Sequence, residues 1–269
     1  MNVASARRLV LAAGGVGIAA MAWLAAQAPA TRQAPAARAE PAGAFVVGEQ
    51  LVYDIGWSGV VTAGTATVAV EARDGDRDGS PVYRLVAEGE PIALLQRLYT
   101  LHYRAVTLVD ARTWLPRRAE IVSREGNRRR TKVTTFDQAR GRARYEVHTA
   151  TVVSQEVATG AQTHDALSAL HAIRRLPMRA GATGTLRVSD SGEIYHVRVR
   201  VDGRETIATP IGARDAWKLV PEIVDADERR EAARAIVVYV SADSRRLPLR
   251  MAAELPVGTF SATLRDVRP

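Results

Sequence analysis

The chain has 269 residues, of which 47% are hydrophobic and 25% charged, with a net charge of +8 and no cysteine. That balance supplies enough apolar surface for a real core and argues against a disordered chain. The lack of cysteine excludes a disulfide framework, a thiolate metal site and a cysteine nucleophile. In chain order, residues 1–30 come first, with Arg7 and Arg8, no acidic residue, an apolar stretch from Leu9 to Ala26, and the small-residue end Ala28-Pro29-Ala30. A charged start, an apolar middle and a small-x-small end describe a secretory signal peptide cleaved after Ala30, which predicts a periplasmic protein. An uncleaved N-terminal anchor is the alternative, since the apolar stretch sits at the lower limit for a membrane span. Gly14, Gly15 and Gly17 interrupt it and favour removal. Ser5-Ala6-Arg7-Arg8-Leu9 only loosely matches a twin-arginine signal, so the export route stays open between the general and twin-arginine pathways. Residues 31–44, rich in Ala, Pro and Arg without a period, read as a disordered leader.

Residues 45–269 are expected to form a single β domain. Leu51, Tyr53, Ile55 and Trp57 fall on one side of an alternating segment. Tyr195, Val197, Val199 and Val201 alternate with polar residues, and so do Leu247, Leu249, Met251, Ala253 and Leu255. Period two is the mark of half-buried strands, typical of antiparallel sheets. Asp74–Gly79, Glu125-Gly126-Asn127 and Asp190-Ser191-Gly192 supply hairpin turns, because Gly, Asn and Asp tolerate positive φ. The expected class is all-β, mainly antiparallel, with about a dozen strands. Two segments look helical: Pro91 to Tyr99, carrying Ile92, Leu94, Leu95 and Leu98, and Asp165 to Arg175. In the second, Asp165 can cap the amino end, Leu167, Leu170 and Ile173 line one face, and Leu176-Pro177 ends the helix.

Several segments, taken together, resemble the bacterial "domain of unknown function 3108" family. They are Val47-Gly48-Glu49-Gln50-Leu51-Val52-Tyr53-Asp54-Ile55-Gly56-Trp57 with Ala63-Gly64-Thr65-Ala66, Val109-Asp110 through Trp114-Leu115-Pro116, Arg124-Glu125-Gly126, and Thr135-Phe136-Asp137. They continue with Asp165-Ala166-Leu167-Ser168-Ala169-Leu170, Arg174-Arg175-Leu176-Pro177, Ser241 through Pro248, and Glu254 through Thr259. Each is weak alone; their order and spacing over 46–267 make the set specific. The resemblance implies an exported envelope protein shaped as an open or spiral β-barrel, and no established enzyme activity. In this sequence Leu170-His171 replaces the family's usual aromatic pair in the short helix, which alters any contact those aromatics make.

Candidate chemistry is sparse. Asp74, Asp76, Asp78 and Gly79 copy the first half of a calcium loop, but Leu85 stands where a bidentate glutamate belongs, so a solvated turn is expected. His102, His148, His164, His171 and His196 lack close ligand spacing, and His164 and His171 are read as polar surface residues. Asp165, Ser168 and His171 are spaced by three along the helix and are expected to point outward, with no oxyanion hole. No metal, cofactor or catalytic residue is expected.

A basic cluster formed by Arg117, Arg118, Arg124, Arg128, Arg129, Arg130 and Lys132, followed by Arg140, Arg142 and Arg144, surrounds one hairpin. Only Lys132 and Lys218 of the 37 basic residues are lysine. Of this cluster Arg117, Arg124, Arg128, Arg129, Arg130 and Lys132 form a candidate anion or headgroup patch, since arginine forms bidentate contacts with phosphate. A solvated face is the plainer alternative. The export signal argues against nucleic acid as a partner.

Apolar alternation on a curved sheet leaves room for a cavity lined by Leu51, Tyr53, Ile55, Trp57, Leu167 and Leu170. The helix either lids that room or completes the core. The leading expectation is therefore a non-enzymatic periplasmic protein that holds an amphipathic envelope lipid, or a lipid-bearing partner, and is not an integral membrane protein once the signal is removed. The alternative is an envelope scaffold docking partners through sheet edges or the 117–132 hairpin, and a hydrolase comes third.

Overall fold

The computed structural model describes residues 46–58, 61–75, 79–98, 101–224, 236–255 and 258–269. The expected signal, the leader and the centre of the 74–79 loop lie outside the described residues. The strands are β1 (Gln50–Trp57), β2 (Val61–Gly75), β3 (Pro81–Pro91), β4 (Leu101–Asp110), β5 (Pro116–Glu125), β6 (Arg128–Asp137), β7 (Arg142–His148) and β8 (Val152–Ala158). They continue as β9 (Thr163–Asp165), β10 (Thr183–Asp190), β11 (Glu193–Thr209), β12 (Gly212–Val224), β13 (Ile236–Ser241), β14 (Pro248–Leu255) and β15 (Gly258–Arg268). Two short helices, α1 (Ala93–Leu98) and α2 (Ala166–Ala172), interrupt them, and a 3₁₀ turn, Ile173–Arg175, extends α2. Among the described residues fifteen strands replace the dozen expected, because alternation does not reveal where a long apolar segment is cut by a turn. Pro91 ends β3 rather than opening α1.

All the strands lie in one sheet, in the order β8-β7-β6-β5-β4-β3-β2-β1-β15-β14-β13-β12-β11-β10-β9. Every pair is antiparallel except β9 with β10. The first and last strands, β1 and β15, are therefore neighbours, and the chain runs outward from them as two meanders. The two outer edges of this wide sheet, β8 and β9, are joined only by residues 159–162. So short a connector reaches at most about 20 Å. The sheet must curl until its edges approach, which is why it is barrel-like and not flat.

Side chains, not a backbone ladder, complete the closure. Gln138, in the β6–β7 turn, donates to the Thr163 carbonyl (2.8 Å) and accepts from the Thr163 N–H (3.1 Å). Lys132 on β6 donates to Ser191 Oγ (2.7 Å), and Gln155 on β8 donates to the Gly192 carbonyl (3.2 Å). The Ser191-Gly192 turn that makes these contacts has φ of 51° and 86°, the left-handed pair that a two-residue hairpin needs.

The concave face holds the core. Leu51, Tyr53, Val70, Leu85, Leu219, Leu249 and Leu264 are buried there together with Leu167, Leu170 and Ile173 from α2 and its extension. α2 begins as the sequence predicts: Asp165 accepts hydrogen bonds from the Leu167 and Ser168 N–H groups. Its surroundings differ from expectation. Asp165, Ser168 and His171 do not point outward, and His164 and His171 are not surface residues; all four are buried. The helix lies inside the curled sheet, so even its polar side has protein around it.

Candidate functional site

The site is a cavity of about 230 Å³ between the concave face of β2–β6 and α2. Strand register explains it. A row of paired residues crosses the sheet as Val68, Ala87, Ala105, Ile121 and Lys132. The row toward the hairpin tip is Ala66, Gly89, Tyr103, Ser123 and Arg130. The row on the other side is Val70, Leu85, Thr107, Ala119, Thr134 and Tyr145. Alanine and glycine at the centre of these rows leave space that larger side chains would fill. Across that space stand Leu167 and Leu170 of α2, with Tyr53 and Met251.

Polarity rises along the β5–β6 hairpin toward its tip. Ala119 pairs with Thr134, Ile121 with Lys132, Ser123 with Arg130, and Glu125 with Arg128. All eight line the cavity, and the β10–β11 turn adds Asp190 and Ser191. The Tyr103 hydroxyl donates to Glu125. Burial raises the pKa of Asp190, against the pull of Lys132, and burial also raises that of Tyr145. At the apolar end, burial pushes the Tyr53 phenol well above its ordinary range, and its hydroxyl donates to the Pro248 carbonyl (2.9 Å). The cavity is thus greasy at one end and polar at the other.

Of the residues proposed as lining, Tyr53, Leu167 and Leu170 line the cavity. Leu51 is buried in the core beside it, and Ile55 packs against that core. Trp57 is 47% exposed and stacks on Phe260 at the strand end, away from the cavity. The helix both lids the space and completes the core.

The basic cluster divides. Arg128, Arg130 and Lys132 reach the cavity, whereas Arg124 and Arg129, paired with each other, fall on the other side of the strands. Arg117 binds Asp110 through two nitrogens, at 2.7 and 3.2 Å. Burial alone would raise the Asp110 pKa, but the N–H groups of Thr113 and Arg112 and the Arg117 guanidinium outweigh it and hold the carboxyl at about 2. Arg140 pairs with Asp137, Arg142 with Glu156 and Arg144 with Glu146.

Around α2 the Asp165, Ser168 and His171 side chains meet separate partners. The Asp165 carboxylate is occupied by Thr107 Oγ1 (2.6 Å) and the two capping N–H groups. Ser168 Oγ lies 3.2 Å from His164 Nδ1, while His171 Nδ1 faces Arg174 Nη1 at 3.3 Å. Among the described residues no group of three or more His, Asp or Glu side chains is placed to hold a metal ion.

The sequence reading missed the alanines and Tyr103, Tyr145 and Asp190. Small inward residues signal a cavity only after register places them side by side.

The profile of the family described as protein of unknown function (DUF3108) matches residues 52–265. The chain belongs to this family. No curated protein matches it. Among solved structures, it is similar to a β-barrel-like protein of domain of unknown function DUF1849 from Brucella abortus. The identity is 11%, the TM-score 0.53, and the match covers 84% of this chain and 98% of that one. That likeness supports the barrel-like fold of the DUF3108 chain and nothing about its ligand. A candidate exported protein with a YmcC-like fold from Bacteroides fragilis matches more loosely, at 14% identity and a TM-score of 0.33 over 84% of this chain and 97% of that one. A candidate lipoprotein from Parabacteroides distasonis gives 9% identity and a TM-score of 0.31 over 82% and 95%. Among the described residues no helix is long and apolar enough to cross a membrane.

Proposed function

We propose that this DUF3108 protein is a non-enzymatic binding protein of the bacterial periplasm, holding the apolar part of an amphipathic envelope molecule inside its curled sheet. The observation that carries the reading is the cavity of about 230 Å³ between the alanine rows and α2, apolar toward Tyr53 and Leu170 and polar toward Arg128 and Arg130. A pocket apolar at one end, with a few converging polar groups at the other, is the usual form of a site for such a ligand. The sequence features of a signal peptide support the location. The test is to purify the protein from a bacterial envelope, extract it with organic solvent and analyse the extract by mass spectrometry. A stoichiometric amphiphile supports the reading, provided that Ala105→Trp, which fills the middle row, loses it. An extract from the unsubstituted protein with no more lipid than the tryptophan variant overturns it.

One observation favours a second reading, docking through a sheet edge. β8 forms the last strand on its side, and Val152 and Val153 on it are 58% and 65% exposed. An unpaired strand edge can accept an extended partner segment. Val153→Lys would then abolish partner capture in a pulldown and leave the extracted ligand unchanged.

A further inference from the structure

Strand alternation sorts the arginines of the β5–β6 hairpin into two sets. Arg128, Arg130 and Lys132 belong to the set that lines the cavity, and their cross-strand partners Glu125, Ser123 and Ile121 line it with them. Arg124 and Arg129 belong to the opposite set. The protein pairs many of its other arginines: Arg84 with Glu71, Arg104 with Glu88, Arg117 with Asp110, Arg118 with Glu120, and Arg140 with Asp137. Among the described residues Arg128 and Arg130 form no ion pair with a carboxylate, and Lys132 donates to Ser191 while attracting the buried Asp190 of the same lining. Glu125, the carboxylate on the adjacent strand, instead accepts from Tyr103. Three cations against the two carboxylates Glu125 and Asp190 leave this end of the lining net positive, and an anion between Arg128 and Arg130 relieves their mutual repulsion.

Size limits the other end of the ligand. At roughly 30 Å³ for a water-sized group, comparable to one methylene, a cavity of about 230 Å³ has room for about eight of them. That is room for one alkyl chain of medium length.

We propose that the cavity takes a single-chain anionic amphiphile, one alkyl tail bearing a carboxylate or phosphate head, with the head bound by Arg128, Arg130 and Lys132. This rests on the cavity reading above and adds to it the sign of the head and the number of chains. Charge-assisted hydrogen bonds from arginine and lysine to carboxylate or phosphate are short and strong, and the rim is open enough for the head to stay partly hydrated.

Isothermal titration with decanoate, decyl phosphate, decanol and decyltrimethylammonium tests it. The two anions are expected to bind roughly tenfold more tightly than decanol, with the cation weakest. Whichever anion binds more tightly identifies the head. The double variant R128E/R130E is expected to lose the preference, while R124E/R129E, an equal charge change on the other face, keeps it. If R128E/R130E does not fold, salt on the unsubstituted protein gives the same answer, since screening must shrink the anion preference and spare decanol.

Decanol binding as tightly as the anions overturns the headgroup assignment and leaves the cavity reading standing. Failure of all four probes, decanol included, overturns both. Phosphatidylglycerol vesicles competing as well as decanoate, mole for mole, overturn the single-chain assignment.

Discussion

Glu49 and Arg174 are both almost wholly buried, and Arg174 donates to the two Glu49 carboxylate oxygens, from Nη1 at 2.7 Å and from Nη2 at 3.2 Å. Arg174 also donates to the Arg245 carbonyl (3.1 Å), and Arg245 reaches the second Glu49 oxygen at 3.4 Å. The pair thereby ties the approach to β1, the turn after α2 and the β13–β14 loop to one point. Taking two charges out of water is expensive, and their attraction offsets that cost only while both are present. Glu49→Gln is therefore expected to lower unfolding free energy by about 3–5 kcal/mol, as measured by urea denaturation. Glu49→Leu with Arg174→Met, which removes both charges, should cost less than either change alone. A double variant as unstable as the sum of the singles would show that the two side chains act independently. Neither residue was singled out in the sequence. Both fall in family-like segments, but they lie 125 positions apart, and no local pattern indicates which glutamate meets which arginine.

At the scale of the element, α2 is instructive because its ends were legible and its setting was not. Asp165 as cap, the Leu167, Leu170 and Ile173 face and the stop at Leu176-Pro177 all follow from local rules. A helix of seven residues is too short to persist in water alone, so packing must hold it. Packing on every side is what turns its polar residues inward, and helix periodicity cannot report a neighbour on the far face. His164, just ahead of the helix, shows the consequence. Burial, with a smaller contribution from the positive charge of Arg175, lowers its pKa from 6.5 to about 4. Burial lowers that of His171 as well, and Arg174 adds to the effect. A histidine that is neutral when folded and protonatable when unfolded stabilises the protein fully above the unfolded pKa. That contribution is lost as pH falls through the folded value. Stability should thus fall between pH 6.5 and about 4, by on the order of 3 kcal/mol for His164. His164→Gln should flatten that part of the profile, measured as urea midpoints across the pH range. An unchanged slope would show that His164 does not titrate with unfolding.

Across the whole molecule, the alternation of side chains conveyed an antiparallel sheet, the family resemblance implied its barrel-like curl, and the turn chemistry placed hairpins at Gly126 and Ser191-Gly192. The order of the strands was not legible, because which edges approach depends on the connector at 159–162 and on contacts across the seam. The same limit applies to the cavity: Ala87 and Ala105 become neighbours only once β3 and β4 are aligned. The closed shape therefore rests on interactions weaker than the rest of the sheet. β1 has a full antiparallel ladder on both sides, with β2 and β15. β9 has three paired residues, on one side only, and Gln138 substitutes for a second ladder. Opening along this seam needs few bonds broken, so it belongs to the low-energy end of the protein's local unfolding. Gln138→Ala removes both contacts with Thr163, each worth about 1 kcal/mol. Amide exchange at residues 163–165 should then accelerate about tenfold or more, while β1 amides keep the protection of the unsubstituted protein. Hydrogen exchange followed by mass spectrometry reads both segments at once. Equal acceleration in β1 would mean that the sheet opens only as a unit and that the seam is no weaker than its interior.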